Sequence, residues 1–437
     1  MEDSMQFVNW LRSVAPYIHS FRGQTFVVAF PGELVRSGAL STLVHDISLL
    51  HALGIKVVIV HGSRPQVEEQ LALRQVDGGS FHNGTRITDP AALECAKEAT
   101  GELRLDIEAA FSQGLPNTPM AHAEIRIISG NFITATPLGI LDGVDMQLTG
   151  KTRKVAFDSI QRILDAGDLV LLPPLGFSPT GEIFSLRMED VAMSAALALH
   201  AHKLIFVTET PLMTNAAGEE IREITPAQAE ILLNSGHLSE EAAGYLRFAS
   251  KACIGGVPRA HIVPYAMDGS ALLELFTHDG VGTMITYENI DVLREATIQD
   301  VGSILKLIEP YEENGTLVKR GRELLEREIG NFSVMEHDGV IFGCAALYPF
   351  PAEKMAEMAC LIVDPDVQEE GEGERILVHI ENRAKSMGLT HLFILTTQTA
   401  HWFLRRGFVY ASVNELPKDR QHIYNWQRKS QVLIKKL

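Results

Sequence analysis

Short apolar runs alternate with amphipathic stretches from Phe26 to Ile285. TFVVAF (25–30), KVVIVHG (56–62), LVLLPPLG (169–176), KLIFVTET (203–210) and AHIVPYA (260–266) are rich in β-branched residues and have no polar alternation. Such runs predict strands buried on both faces, as in a parallel sheet. Between them, Leu40 to Leu53 and Met188 to His200 carry apolar residues at helical spacing. Strand and helix in alternation predict a mainly parallel sheet layered between helices. The pattern breaks in THDGVGTMITYENIDVLREAT (277–297), where Gly280 and Gly282 close one unit. It restarts with a short strand, a Thr297-x-x-Asp300 capping signal and an amphipathic helix. The expected organisation is two α/β domains, residues 1–285 and 286–437.

Composition narrows the chemistry. Of 437 residues, 46% are hydrophobic and 21% charged, as in ordinary globular proteins. The net charge of −17 repels phosphate backbones and anionic lipid, so neither nucleic acid nor a membrane is an expected partner. Cys95, Cys253, Cys344 and Cys360 are scattered with no CxxC pair, which argues against a structural metal and fits a reducing cytoplasm. No metal is expected. MEDSMQFVNW lacks the basic and apolar regions of a secretory signal, and no apolar run reaches the ~18 residues that span a bilayer.

The first two strands end in Ala29-Phe30-Pro31-Gly32 and His61-Gly62-Ser63-Arg64. With AHIVPYAMDGSALLELFTHDGVGTMI downstream, they resemble the amino-acid kinase family over roughly residues 20 to 285, and acetylglutamate kinase most of all. The resemblance implies a three-layer sandwich. That family has Lys-x-Gly-Gly and His-Gly-Gly-Gly at these turns. Phosphoryl transfer needs cations against the transferred oxygens. Alanine supplies none, Pro31 lacks a backbone N–H, and Ser63 and Arg64 crowd the second turn. A kinase fold without kinase chemistry is expected, with Lys151 or Lys203 as the lysines that could substitute.

SALLELFTHDGVGT (270–283) resembles the effector segment of arginine-inhibited kinases, which implies arginine binding at Glu274, Gly280 and Gly282. Read alone, Glu274 is a helix-surface acid and the glycines end a helix.

In the second domain, EMACLIVDPDVQEEGEGERILVHIENRAKSMG predicts a strand over Met358–Val363, a loop, and a helix from Glu374 to Met387. Gln368, Gly371 and Gly373 resemble the Q/R-x-x-G-x-G/A loop of GCN5-related acetyltransferases. The resemblance implies a mixed α/β fold whose loop and helix start bind the acetyl-CoA pyrophosphate, where N–H groups favour anions. Six acids and no base lie between Asp364 and Glu374, and they are expected to face outward. HLFILTT, then TAHWFLRRGFVY with Gly407-Phe408, continues the resemblance.

Within that family the strand before the loop binds pantetheine and polarises the thioester. Here Cys360, Leu361 and Val363 would supply the N–H groups. Amines near pH 7 are protonated and must lose a proton to attack. Glu357 is the candidate base. Phe403 stands near the place of a family tyrosine, so Thr396 or Thr397 is left to protonate the thiolate, unless the thiolate leaves unaided.

The two domains together resemble the bacterial N-acetylglutamate synthase family over essentially the whole chain, with GCAALYPFPAEKMAEMACLIVDP a particularly close stretch. This implies acetylation of the α-amine of L-glutamate, the first step of arginine biosynthesis, with inhibition by arginine. It also implies a homo-oligomer, a hexamer. Val318, Arg320, Arg428 and Ser430 match family positions for glutamate, whose carboxylates suit arginine forks. A bifunctional synthase and kinase, an arginine-sensing regulator with an inactive acetyltransferase, and an enzyme acetylating a protein amine are the competing readings.

Overall fold

The computed structural model describes residues 2–76, 80–82, 84–113, 124–209, 212–215, 217–277, 280–287, 291–337, 339–365 and 371–437. The chain divides into two compact units, Met1–Glu288 and Asn289–Leu437.

The first unit is built on eight strands: β1 (Thr25–Phe30), β2 (Lys56–His61), β3 (Ile127–Ser129), β4 (Leu169–Leu172), β5 (Lys203–Thr208), β6 (Glu223–Ile224), β7 (Arg259–Pro264) and β8 (Thr283–Thr286). Their spatial order is β6-β8-β7-β5-β1-β2-β4-β3. Pairing is parallel throughout, except that β8 runs antiparallel to β7. Both faces are buried, which is why these runs show no alternation. Val27, Ala29, Val58, Val60, Leu204 and Phe206 face one core, with Val191, Ala195, Leu246 and Ala249 from the helices Met188–Ala198 and Glu240–Ile254. Phe26, Val28, Phe30, Val57, Ile59 and Ile205 face the other, with Ile47 and Leu50 from the helix Leu40–Ala52. The result is a three-layer sandwich.

The run at 169–176 is not one strand. Leu169–Leu172 belongs to the main sheet, whereas Leu175–Phe177 joins a second, four-stranded sheet with Ile133–Pro137, Gly150–Val155 and Ile183–Ser185. Pro173 and Pro174, with no N–H to offer a ladder, separate the two.

The second unit is a seven-stranded sheet: β9 (Asp291–Glu295), β10 (Phe332–His337), β11 (Val340–Phe350), β12 (Met355–Val363), β13 (His391–Thr396), β14 (Val409–Ala411) and β15 (Gln431–Lys436), ordered β9-β10-β11-β12-β13-β15-β14. The capping box between Thr297 and Asp300 is present and leads into the helix Val301–Glu313. That helix covers one face through Val301, Ile304 and Ile308. The helix Glu372–Ser386 covers the other through Ile376, Leu377, Ile380 and Ala384. The strand Met355–Val363 starts three residues before the expected Met358, and the helix starts at Glu372 rather than Glu374.

Candidate functional site

Among the described residues of the seven-stranded sheet, one pairing joins parallel neighbours, β12 with β13. Its register covers Met355–Glu357 against His391–Phe393 and goes no further. Beyond Glu357, residues of β13 pair only with β15 on the other side. Past Glu357 the described ladder gives β12 no rung on its β13 side. Opposite β11, the register slips: Cys344 faces Ile362 and Ala346 faces Ala359, so Cys360 and Leu361 together oppose Ala345. This is a β-bulge, and Cys360 takes φ +52° there, a conformation disfavoured for a residue with a side chain. The bulge redirects the strand where Cys360, Leu361 and Val363 were expected to meet the thioester. Burial pushes the Cys360 thiol up to about 11, so its sulfur stays protonated at neutral pH.

Glu357 closes the stretch of β12 paired with β13, across from Tyr348 on β11 and Phe393 on β13. It is buried. Arg420 donates to both of its oxygens, Nε to Oε2 at 2.5 Å and Nη2 to Oε1 at 3.0 Å. Arg320 lies among Tyr348, Cys360 and Glu357. Burial opposes its charge, but these neighbours outweigh that and raise its pKa. The Arg320 backbone N–H donates to Glu312 Oε1 at 2.7 Å. Val318 is exposed and its carbonyl accepts from Arg320 Nη1 at 3.4 Å.

Arg428 does not point a free fork at this cluster. Its Nη2 donates to the carbonyls of Thr316 and of Gly315, the latter at 3.2 Å, so it ties down the segment that carries Val318 and Arg320. Its Nε is buried without a hydrogen-bond partner among the described residues. Ser430 precedes β15, and its carbonyl accepts from Tyr424 Oη at 2.6 Å.

Thr396 ends β13, three residues past the last paired rung, about 10 Å along the strand. Its hydroxyl caps the turn into the helix Ala400–Leu404: it accepts from Thr399 N at 3.1 Å and lies 2.8 Å from Thr399 Oγ1. Phe403 packs edge-on against Trp402 and Phe408 and carries no acid.

Gln368 lies outside the described residues. Gly371 caps the helix Glu372–Ser386 with φ +91°, and a Cβ there would meet nothing among the described residues within 4 Å. A Cβ on Gly373 would come within 3.3 Å of the Trp402 ring. The expectation that the acids of this loop face outward fails at Glu372, which is 6% exposed. The helix begins two residues earlier than expected, which turns Glu372 inward within its first turn; Oε1 lies 3.6 Å from Arg375, and Oε2 has no hydrogen-bond partner among the described residues. Glu374 is offset by Arg406, which reaches it at 3.1 Å while stacking 3.8 Å above Trp402.

In the first unit, Glu274 is not a surface acid. It is buried in the helix Ser270–Phe276, with Oε2 accepting from Val281 N and Gly282 N, both at 2.8 Å, and Oε1 2.7 Å from His261 Nδ1. Burial opposes ionisation, but His261 and the two N–H groups outweigh it and pull the carboxyl down to about 2. Burial and then Lys203 hold His261 down at about 4. A neutral ring donating from Nδ1 to Glu274 and accepting at Nε2 from Lys203 Nζ, 3.3 Å away, satisfies both contacts. Gly280 and Gly282 adjoin this carboxylate: a Cβ on Gly280 would fall 2.5 Å from Glu274 Oε2, and one on Gly282 2.5 Å from the Ile262 carbonyl.

At the other end of the sheet, Ala29 is fully buried and Pro31 packs 3.1 Å from where a Gly62 Cβ would stand. Lys203 opens β5 beside Phe26, whereas Pro31 follows the far end of β1. Lys203 cannot serve that turn from about 16 Å back along the parallel strand. Lys151 is exposed on the smaller sheet.

Sequence reading missed Arg420, His261 and the structural use of Arg428. A lone arginine in KDRQH has no local signal; its partner is 63 residues away.

Each unit matches a known family. Residues 24–264 match the amino acid kinase family, and residues 328–410 match the acetyltransferase (GNAT) domain. The fold therefore defines an acetyltransferase joined to an amino-acid-kinase-type unit. An amino-acid acetyltransferase of Ralstonia nicotianae is 61% identical over 435 residues, covering 100% of this chain and 96% of that one. One from Azotobacter vinelandii is 49% identical and covers 99% of each. The crystal structure of N-acetylglutamate synthase from Neisseria gonorrhoeae, complexed with coenzyme A and L-arginine, is 38% identical, covers 99% of both chains and superposes with a TM-score of 0.88. This chain belongs to the amino-acid acetyltransferases. No helix among the described residues is long and apolar enough to cross a membrane, and no group of three or more metal-ligating side chains occurs among them.

Proposed function

We propose that this enzyme transfers acetyl from acetyl-CoA to the α-amine of L-glutamate, giving N-acetyl-L-glutamate and CoA. The observation that carries the reading is Glu357: a buried carboxylate at the point where β12 loses its parallel partner, with Arg320 beside it. Glu357 takes the proton from the α-ammonium, directly or through water. The freed nitrogen lone pair attacks the thioester carbonyl, which accepts hydrogen bonds from the backbone at Cys360, Leu361 and Val363. The carbon–sulfur bond breaks, and the second proton of the acylated nitrogen passes through the Thr396 hydroxyl to the departing CoA thiolate. The structure of the Neisseria enzyme complexed with coenzyme A and N-acetylglutamate, 39% identical with a TM-score of 0.63, supports this substrate pair.

The residues present suit acetyl-CoA. Open space at Gly371 and the start of a fifteen-residue helix favour a pyrophosphate. Val318, Arg320, Arg428 and Ser430 form the glutamate site, Arg320 as a carboxylate partner and Arg428 by holding the segment that bears it.

The first unit binds arginine at Glu274, Gly280 and Gly282, lowers acetylation when it does, and performs no phosphoryl transfer. Its support is the buried anion, the closely packed glycines and the alanine where a kinase needs a cation. The enzyme works in the cytoplasm at the first step of arginine biosynthesis, as a homo-oligomer.

The test is thiol release from acetyl-CoA with each common amino acid in turn, with and without arginine. Release with glutamate alone, suppressed by arginine, is the expected result. Release with another amine overturns the substrate. Undiminished release from Glu357→Gln overturns the base.

A further inference from the structure

A buried carboxylate needs both a partner and a fixed orientation if it is to remove protons. For Glu357 one side chain supplies both. The Arg420 fork meets both carboxylate oxygens, and the two side chains are 19% and 10% exposed, Arg420 first. A carboxylate has about four acceptor positions. The bidentate pair takes one on each oxygen and leaves one on each for an incoming N–H or water.

The platform beneath Arg420 is tied to the same strands as Glu357. The helix Lys418–His422 is anchored by Gln421, whose Nε2 donates to Leu416 O at 2.7 Å and Asn414 O at 3.1 Å. Leu416 is buried against Met355, Phe393 and Val432. Met355 lies two residues before Glu357 on β12, and Phe393 is its partner on β13. A shift of the helix would therefore disturb that small core.

We propose that Arg420 is a positioning residue for the reaction, holding the Glu357 carboxylate in the orientation that accepts the proton of the incoming amine. This rests on the reading of Glu357 as the base. Besides Arg420, the ionisable groups around Glu357 are Arg320 from the segment after the helix Val301–Glu313, Tyr348 from β11, and Cys360 on its own strand. None of these is hydrogen-bonded to the Glu357 carboxylate among the described contacts, whereas Arg420 bonds to both oxygens.

The experiment is a double-mutant cycle on the full chain, with Arg420→Met, Arg420→Lys, Glu357→Gln and the Arg420→Met/Glu357→Gln pair, following kcat and both KM values with thermal melting alongside. A misplaced base costs on the order of 100-fold in rate. Arg420→Met is expected to lower kcat by about that factor and leave KM for acetyl-CoA within about twofold. Arg420→Lys recovers part of the loss. In the Glu357→Gln background Arg420→Met has no further effect, because groups acting as one unit are non-additive. A merely structural ion pair would instead lower the melting temperature and leave the coupling in kcat absent. The proposal is overturned by equal losses in both backgrounds, or by a raised KM for glutamate at unchanged kcat, which would make Arg420 a substrate ligand. If Arg420→Met does not fold, Arg420→Lys alone and paired with Glu357→Gln gives the same comparison. A fully active Glu357→Gln variant removes the base reading itself; an inactive one beside a fully active Arg420→Met removes only this inference.

Discussion

Oxygen Oε2 of Glu274 lies 2.5 Å from where a Cβ on Gly280 would stand, and Gly280 holds φ +58°. The glycine is thus required twice, by backbone conformation and by lack of room. Gly280→Ala should destabilise the first unit by roughly 1–3 kcal/mol and displace the carboxylate. The measurement is thermal denaturation together with calorimetric titration of arginine. A variant that melts like the parent and binds arginine equally well contradicts the geometry.

Asp46 sets a second expectation. Burial, and then Asp268, raise its carboxyl to about 7. Its folded value lies above its unfolded one, so between about 4 and 7 the folded state binds a proton that the unfolded chain has released. The group's contribution to stability is therefore complete at low pH and is lost as pH rises through about 7. Asp46→Asn should melt above the parent at pH 8 by clearly more than it does at pH 5, where only part of the loss has set in. A difference that is the same at both pH values would show that Asp46 does not titrate in this way.

All four cysteines are buried. Burial pushes Cys253 up to about 12 and Cys360 up to about 11, and raises Cys344 well above the ordinary thiol range. Native protein treated with iodoacetamide at pH 7.5 should gain no label by intact-mass spectrometry, and denatured protein should gain four. Rapid labelling at Cys360 in the native state would mean that the bulge is open to solvent.

The two halves of the acetyl-transfer site should separate kinetically. Gly371→Ala forces a side chain into φ +91° at the helix start and should raise KM for acetyl-CoA about tenfold, the effect of losing ~1.4 kcal/mol of binding. Arg428→Ala frees the carbonyls of Gly315 and Thr316 and should raise KM for glutamate by a similar factor with little change for acetyl-CoA. Both KM values rising together in either variant would contradict the division of sites.

The sequence by itself determined the two α/β units, the buried parallel strands, the capping box at Thr297 and the glycines that close the first unit and open the loop helix. These are local facts: apolar period, turn chemistry and the absence of a Cβ act within a few residues. TFVVAF reads as doubly buried because Phe26 to Phe30 face two cores in alternation. The run at 169–176 misled because periodicity cannot tell which sheet a strand joins once two prolines interrupt it. Only the tertiary structure decided which groups meet. It turned Glu274 inward onto His261, set Glu372 inside its own helix start, spent Arg428 on backbone carbonyls, and brought Arg420 to Glu357 across 63 residues of chain. Ion pairing and burial depend on distances in space, and those distances exist only once the sheets have formed.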